Sequence, residues 1–445
     1  MSTVQPAVDV RAELAGAPMG RFHWGVVVMV LLATAFDGLD TFSPAYVIKF
    51  VAEPWHLSHA EAGLLVSAGL IGFGIGSLGH GVVADRFGRK PTLIAGLLIS
   101  GVFSLATALF ADSFASFVTL RLLTGLGLGV LLPLGTAYCS ELMPGGVRNR
   151  MASLAGTGFG VGGVLAAVVG IAFTRTLGWQ ILYYLGALGA LLGVAYVWLL
   201  PESPEYLVAH GRADRAARLL AKVNPGRARH YRAATLTSDR PYRARDWRLP
   251  LTAEYRTRTA ALWATAFLLL FCIYGLAGWT PSLMIDRGSS FATGFGFGAV
   301  LQAMAVVGAL TGGVVADRLL GGRRALVLWC GVGAAAALLV ASVSSIEVDL
   351  VAVGAAGFCI LGGQFMLNNV CAASYPVQAR ATGTGFMLGV GRVGGILGPY
   401  VGGWLLGAFG GTSVLFYAVA VAAALAVLTA SFVSEPVGLA RSAVT

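Results

Sequence analysis

The stretch "AFDGLDTFSP", residues 35–44, places two carboxylates, Asp37 and Asp40, in a segment otherwise made of Val, Leu, Ile, Met and Ala between Trp24 and Ile48. Three residues apart on a helix, they lie within about 60° of one another and about 4.5 Å apart along the axis, so they share a face. A charge facing lipid near the bilayer centre costs on the order of 2.5–3.5 kcal/mol even on the lenient insertion scale. The pair must therefore face a protein interior, water or a cation. Two cations fall inside comparably apolar segments, Arg121 and Arg392. A low-dielectric site favours a neutral carboxyl, whereas a neighbouring guanidinium favours an ionised one. One aspartate held ionised by Arg, beside another that binds and releases a proton, is a proton-coupling site in outline. The competing reading is structural, with the two acids capping, pairing with Arg or stabilising a break at Gly38. Arg121 and Arg392 are likewise open to two readings, because Arg suits both a salt bridge and bidentate capture of an organic acid's carboxylate.

These groups need helices that live in lipid. The chain has 445 residues, 57% hydrophobic and 11% charged, with a mean hydropathy of +0.79, values foreign to a soluble enzyme. Roughly 20 apolar residues span the hydrocarbon core as a helix. Twelve such runs are legible, at 24–48, 61–84, 91–111, 117–140, 151–174, 179–200, 260–284, 293–316, 324–345, 348–372, 382–406 and 412–433. They lack the strict alternation of membrane β-strands. The reading is an all-α integral membrane protein with its first helix retained, since residues 1–20 carry Asp9, Arg11 and Glu13 and no cleavable signal pattern.

The net charge of +10 invites a nucleic-acid reading, and its placement argues against one. Assigned alternately to two sides, the loops put most Lys and Arg with the N-terminus, segment 201–258 and the C-terminus. The opposite side holds Lys49, Arg175 and Arg287. By the positive-inside rule both termini are expected in the cytoplasm, in a multi-pass protein of the cytoplasmic (inner) membrane. The five cysteines fall within apolar runs without metal-ligand spacing and read as small apolar fillers, and neither a metal nor a cofactor is expected.

Segment 201–258 divides the chain into an N-terminal six-helix bundle (1–200) and a C-terminal bundle with its tail (259–445). The halves share "GVVADR", at 81–86 and 313–318, and three pairs stand 232 positions apart: Asp85 and Asp317, Pro144 and Pro376, Arg148 and Arg380. Duplicated halves in a helical membrane protein point to alternating access, with a site between them near the midplane. The 62 glycines, as in "GLGLG" at 125–129 and "GTGFGVGG" at 156–163, fit helices that pack closely and rock.

These residues resemble the major facilitator superfamily. "GVVADRFGRK" at 81–90 fits its G-x-x-x-D-R-x-G-R-K loop signature, and "GVVADRLLGGRR" at 313–324 is a looser copy with an extra residue before the basic pair. "RLLTGLGLG" at 121–129 resembles its helix 4 motif, Glu141 with Arg148 its E-x6-R pair, and "PESPEYL" at 201–207 the segment after helix 6 in sugar porters and organic-acid symporters. Among subfamilies the chain is most similar to the aromatic acid:proton symporters, on "DGLD" at 37–40, "GWTPSLM" at 278–284 and "YPVQARATGTGFMLGVGRVGGILGP" at 375–399.

The resemblance implies twelve helices in two pseudo-symmetric bundles and, functionally, no enzyme but a monomeric transporter in membrane lipid. It would import a small aromatic carboxylate, of benzoate or hydroxybenzoate type, with protons. Asp37, Asp40 and Arg121 are the expected proton-coupling residues. Arg392 is the expected substrate anchor, with Tyr138, Tyr274, Trp279, Gln302, Gln364, Asn368 and Asn369 as candidates to hold a planar ring. Asp85, Arg86, Arg89, Lys90, Glu141, Arg148, Asp317, Arg318 and Arg380 are the expected gate, pairing at the cytoplasmic ends of helices and parting as the halves rock. A porter for a sugar or aliphatic acid, and a membrane sensor without transport, are the alternatives. "G-x-x-x-x-G-K-[ST]" occurs nowhere, so the chain carries no P-loop of its own.

Overall fold

The computed structural model describes residues 7–238, 248–376 and 379–433, apart from the side chains at 313, 314, 317, 318 and 381. Twelve long helices follow one another: α1 Arg21–Phe42, α2 His59–Phe87, α3 Arg89–Phe110, α4 Phe114–Leu142, α5 Arg148–Leu177, α6 Ile181–Leu199, α7 Arg256–Asp286, α8 Phe291–Val315, α9 Gly322–Ser342, α10 Ile346–Ala373, α11 Arg380–Phe409 and α12 Val414–Ser431. Among the described residues eleven of them, all but α11, are long and apolar enough by themselves to cross a membrane. The 30-residue α11 carries Pro399 inside it and runs between α7 and α2.

Local chemistry sets the breaks. The run expected to continue to Ile48 leaves α-helical geometry after Phe42, because Pro44 has no N–H to return to Asp40, and a 3₁₀ turn, Ser43–Tyr46, follows. Ser58 caps α2 in a reciprocal box with Glu61. Gly88, at φ 108°, makes the sharp turn from α2 into α3, a conformation that costs a residue with a Cβ far more. Gly321, at φ 77°, does the same between α8 and α9. The extra residue of the second loop copy is taken up by a π-turn, Ala316–Leu320, so both copies end on their glycine.

Within each half the helices approach closely through glycine. A Cβ on Gly72, Gly125 or Gly129 would collide with backbone across the α2–α4 crossing, and one on Gly38 or Gly162 across α1–α5. Between halves, α2 meets α11, α5 meets α8, and α1 with its 3₁₀ turn meets α7.

Among the described residues these seams are closed on one side of the bundle. On the side away from the termini, Ser67 Oγ donates to the Ile396 carbonyl at 2.7 Å, Tyr46 sits edge-on to Phe295 with ring centroids 4.8 Å apart, and Lys49 pairs with Asp286. Toward the terminus side Leu78 and Val82 of α2 are each 75% exposed, and Gly385 and Gly389 of α11 face open space. The halves therefore touch along their far side and part toward the terminus side.

The central segment contains more structure than its hydrophilic composition announces. Helices Pro204–Ala209, Ala213–Val223 and Ala228–Ala233 pack with helix Val10–Gly16, and strand Ala7–Asp9 pairs in parallel with Thr235–Thr237. Their small core joins Val10, Leu14, Leu207, Leu220, Tyr231 and Leu236.

Candidate functional site: a buried charge cluster facing an aromatic wall

The two aspartates of α1 have different surroundings. Asp40 forms an ion pair with Arg121 of α4, both side chains being almost fully buried. Arg121 Nη2 also donates to the Asp40 carbonyl at 3.0 Å. That carbonyl is the acceptor Pro44 leaves without its helical N–H, so the proline creates the second half of the guanidinium's binding site. Gly69 lies against Arg121, where a Cβ would stand 3.3 Å from Nη2, and the Tyr183 ring packs 5.2 Å from its Cζ. Asp40 is thus held within the N-terminal half by Arg121.

Asp37, one turn earlier, is fully buried and forms no ion pair among the described residues. Its Oδ1 accepts from Thr41 Oγ1 at 3.2 Å, and its Oδ2 has no hydrogen-bond partner. It lies within electrostatic range of Asp40 and of Arg392, which α11 brings from the other half. A carboxyl with no ion pair among the described residues, next to a paired one and opposite a cation of the other half, has the chemistry of a protonatable group.

Arg392 is held by aromatics. It donates from Nη1 to the Tyr274 hydroxyl of α7 at 2.9 Å, and its Cζ lies 4.1 Å from the centroid of Phe73 of α2. Tyr274 stacks on Phe42 of α1 at 6.4 Å, and Phe42 is edge-on to Phe159 of α5 at 5.1 Å. Gln302 of α8 joins this wall beside Phe42, both reaching the position a Cβ on Gly163 would fill. Phe42, Phe73 and Phe159 are absent from the sequence-derived candidates. Phe42 could have been found, because it lies five residues beyond Asp37 in the same quoted stretch, whereas Phe73 and Phe159 are revealed by helix crossings alone.

Other candidates lie apart. Tyr138 is buried in the N-terminal half and donates to the Pro201 carbonyl at 2.5 Å, a packing role instead of the expected ring contact. Trp279 is packed into the α7–α11 seam with its Nε1 on the Pro399 carbonyl at 2.8 Å, again in place of a free ring surface. Asn369 is exposed. Gln364 donates to Asn368 Oδ1 at 3.1 Å, one turn along α10, and its own buried Oε1 has no partner. This pair directly follows a π-turn at Gly357–Leu361.

The loop signature forms a network within one half. Arg89 binds both oxygens of Glu141, at 2.9 and 3.3 Å, and reaches Asp85 at 3.2 Å. Among the described residues Asp85 pairs inside its own half, Arg89 is the cation seen on Glu141, and the buried Nε of Arg148 has no hydrogen-bond partner. Lys90 donates to the Val197 carbonyl at 2.6 Å, Arg86 lies beside the Phe87 ring, and Arg380 is exposed. The side chains of Asp317 and Arg318 lie outside the described residues.

The description "Major Facilitator Superfamily" fits residues 28–369 and 301–443, essentially the whole bundle. The chain belongs to the major facilitator superfamily. Its membership makes it a multi-pass membrane transporter and not an enzyme. It is 34% identical to the 4-hydroxybenzoate transporter PcaK of Pseudomonas aeruginosa, over 90% of this chain and 91% of that one. It is also 34% identical to a gallate transporter of Pseudomonas putida, over 96% and 95%. Its fold matches the xylose transporter XylE of Escherichia coli, in a partially occluded inward open conformation, with a TM-score of 0.74. There the identity is 17%, over 94% of this chain and 99% of that one. The last likeness concerns the fold alone.

Proposed function

We propose that this superfamily member imports a small aromatic carboxylate of the hydroxybenzoate class together with one or more protons, by alternating access, across the cytoplasmic membrane. The observation that carries the reading is the division of labour on α1, where Asp40 is neutralised by Arg121 while Asp37 is buried without a counter-ion opposite Arg392. The terminus side, toward which the halves part, is the cytoplasmic side in this reading, and the molecule works as a monomer. The relatives named for 4-hydroxybenzoate and gallate support the substrate class.

A proton entering from outside neutralises Asp37, which removes its hold on Arg392. The guanidinium then takes the substrate carboxylate bidentately, and Tyr274, Phe42 and Phe73 flank the ring. Gln302, with Gln364 and Asn368, supplies polar partners for ring substituents. Charge compensation lets the loaded site pass through a dry, occluded state, and the halves rock inward. Loss of the proton to the cytoplasm restores Asp37 as a competitor for Arg392 and expels the anion. Asp85, Arg89 and Glu141 stiffen the inner end of the N-terminal half through the cycle.

Uptake of labelled 4-hydroxybenzoate and of xylose into energised vesicles, with and without a protonophore, tests the reading. Gradient-dependent accumulation of the acid and none of the sugar is the expected outcome. Accumulation of xylose, or acid uptake indifferent to the protonophore, contradicts it.

A further inference from the structure

A cavity of about 830 Å³ opens on the terminus side of the N-terminal half, away from the aromatic wall. Its upper rim is basic: Lys90 at the start of α3, with Arg212, Arg215, Arg218 and Lys222 from the loop helix Ala213–Val223 and the residue before it. Positions 215, 218 and 222 recur at three and four residues and so share one helix face. That helix is held in place by the opposite face, where Ala216, Ala217 and Leu220 are buried. The four loop cations form no ion pair among the described residues, and Asp214, the acid on the same helix, takes none of them.

The floor is apolar. Ile94, Ala95 and Leu98 of α3 face Val197 and Leu200 of α6, and Ala95 and Val197 are exposed on the lipid-facing surface of the bundle. Glu202, the acid in the lining, is turned onto backbone amides, accepting from Arg89, Lys90 and Ser203 at 3.0, 3.2 and 2.8 Å. Burial also pushes its carboxyl up from the ordinary value.

A free inorganic anion has no use for the apolar floor, and a hydrocarbon chain has none for five cations. A molecule with a phosphate joined to acyl chains needs both, in this vertical order, at the membrane surface. From this charge complementarity we infer that the groove binds an anionic phospholipid. Its phosphate sits among Lys90, Arg215, Arg218 and Lys222, and one acyl chain lies against Ile94, Leu98 and Val197. The lipid would tie the loop helix to the ends of α3 and α6, beside the Arg89–Glu141 network. The inference stands on the membrane topology of the superfamily and not on the identity of the transported solute.

Native mass spectrometry of the full-length protein, delipidated and then given phosphatidylglycerol or phosphatidylcholine, tests it. The wild type is expected to retain phosphatidylglycerol preferentially. Arg215→Gln/Arg218→Gln should lower that preference by about tenfold or more. The charge-matched pair Arg229→Gln/Arg232→Gln, exposed and outside the groove, should leave it unchanged. Ala95→Trp, which fills the floor without altering charge, should also release the lipid. Equal melting temperatures without lipid establish that the variants are folded. Equal losses from both arginine pairs, retention of lipid by Ala95→Trp, or inorganic phosphate displacing lipid at equal concentration would overturn the assignment, the last by making the groove a free-anion site.

Discussion

At the scale of single residues, two aspartates of one sequence motif differ because their surroundings differ. Asp40 meets Arg121 and Asp37 does not. Removing one partner of a buried ion pair costs about 3–5 kcal/mol, since the other charge is left uncompensated. Asp40→Asn should therefore lower the melting temperature of the purified transporter sharply, and Asp40→Asn/Arg121→Gln should recover part of the loss. Asp37→Asn removes no ion pair, so its melting temperature should stay close to wild type while gradient-driven accumulation disappears. Thermal unfolding in detergent distinguishes the two, and equal destabilisation would refute the division of labour. The sequence was enough to single out the pair and both arginines. It could not say which acid takes which cation, because that choice depends on Pro44 freeing a carbonyl and on Gly69 leaving room for Arg121, both settled only when α1, α2 and α4 are packed.

At the scale of elements, the twelve apolar runs were legible because lipid demands length and hydropathy, and both can be counted along the chain. The folded loop unit was less so. "ADRAARLLAKV" at 213–223 has buried and basic faces, yet its partners Val10 and Leu14 are about 200 positions away in sequence. The aromatic wall was missed for a related reason, since Phe42, Phe73 and Phe159 come from three helices and look like ordinary core residues in each. Helix seams lend themselves to a direct test. Gly63 of α2 lies against the Pro399 carbonyl and Tyr400 of α11, so Gly63→Val would wedge the far-side seam. A cysteine at Ser67, beside Ile396, should then react faster with a membrane-impermeant thiol reagent from outside. Unchanged labelling would mean that this seam does not close the outer side.

At the scale of the whole molecule, two six-helix halves touch on the far side and separate on the terminus side. Lys49 and Asp286 bridge them, each partly exposed at 29% and 45% of its side chain, so the bridge contributes at most about 1 kcal/mol. Lys49→Ala should accordingly shift the balance between the two access states by up to about fivefold toward outward opening, not abolish either. Spin labels on Glu53 and Ser290, read by pulsed dipolar spectroscopy, should show a larger long-distance population in the variant. The central claim concerns the proton. In proteoliposomes with a pH-sensitive dye inside, addition of 4-hydroxybenzoate outside should acidify the lumen through the wild type. With Asp37→Asn the lumen should stay unchanged while exchange of labelled for unlabelled acid continues. Luminal acidification by Asp37→Asn equal to that of the wild type would contradict the account.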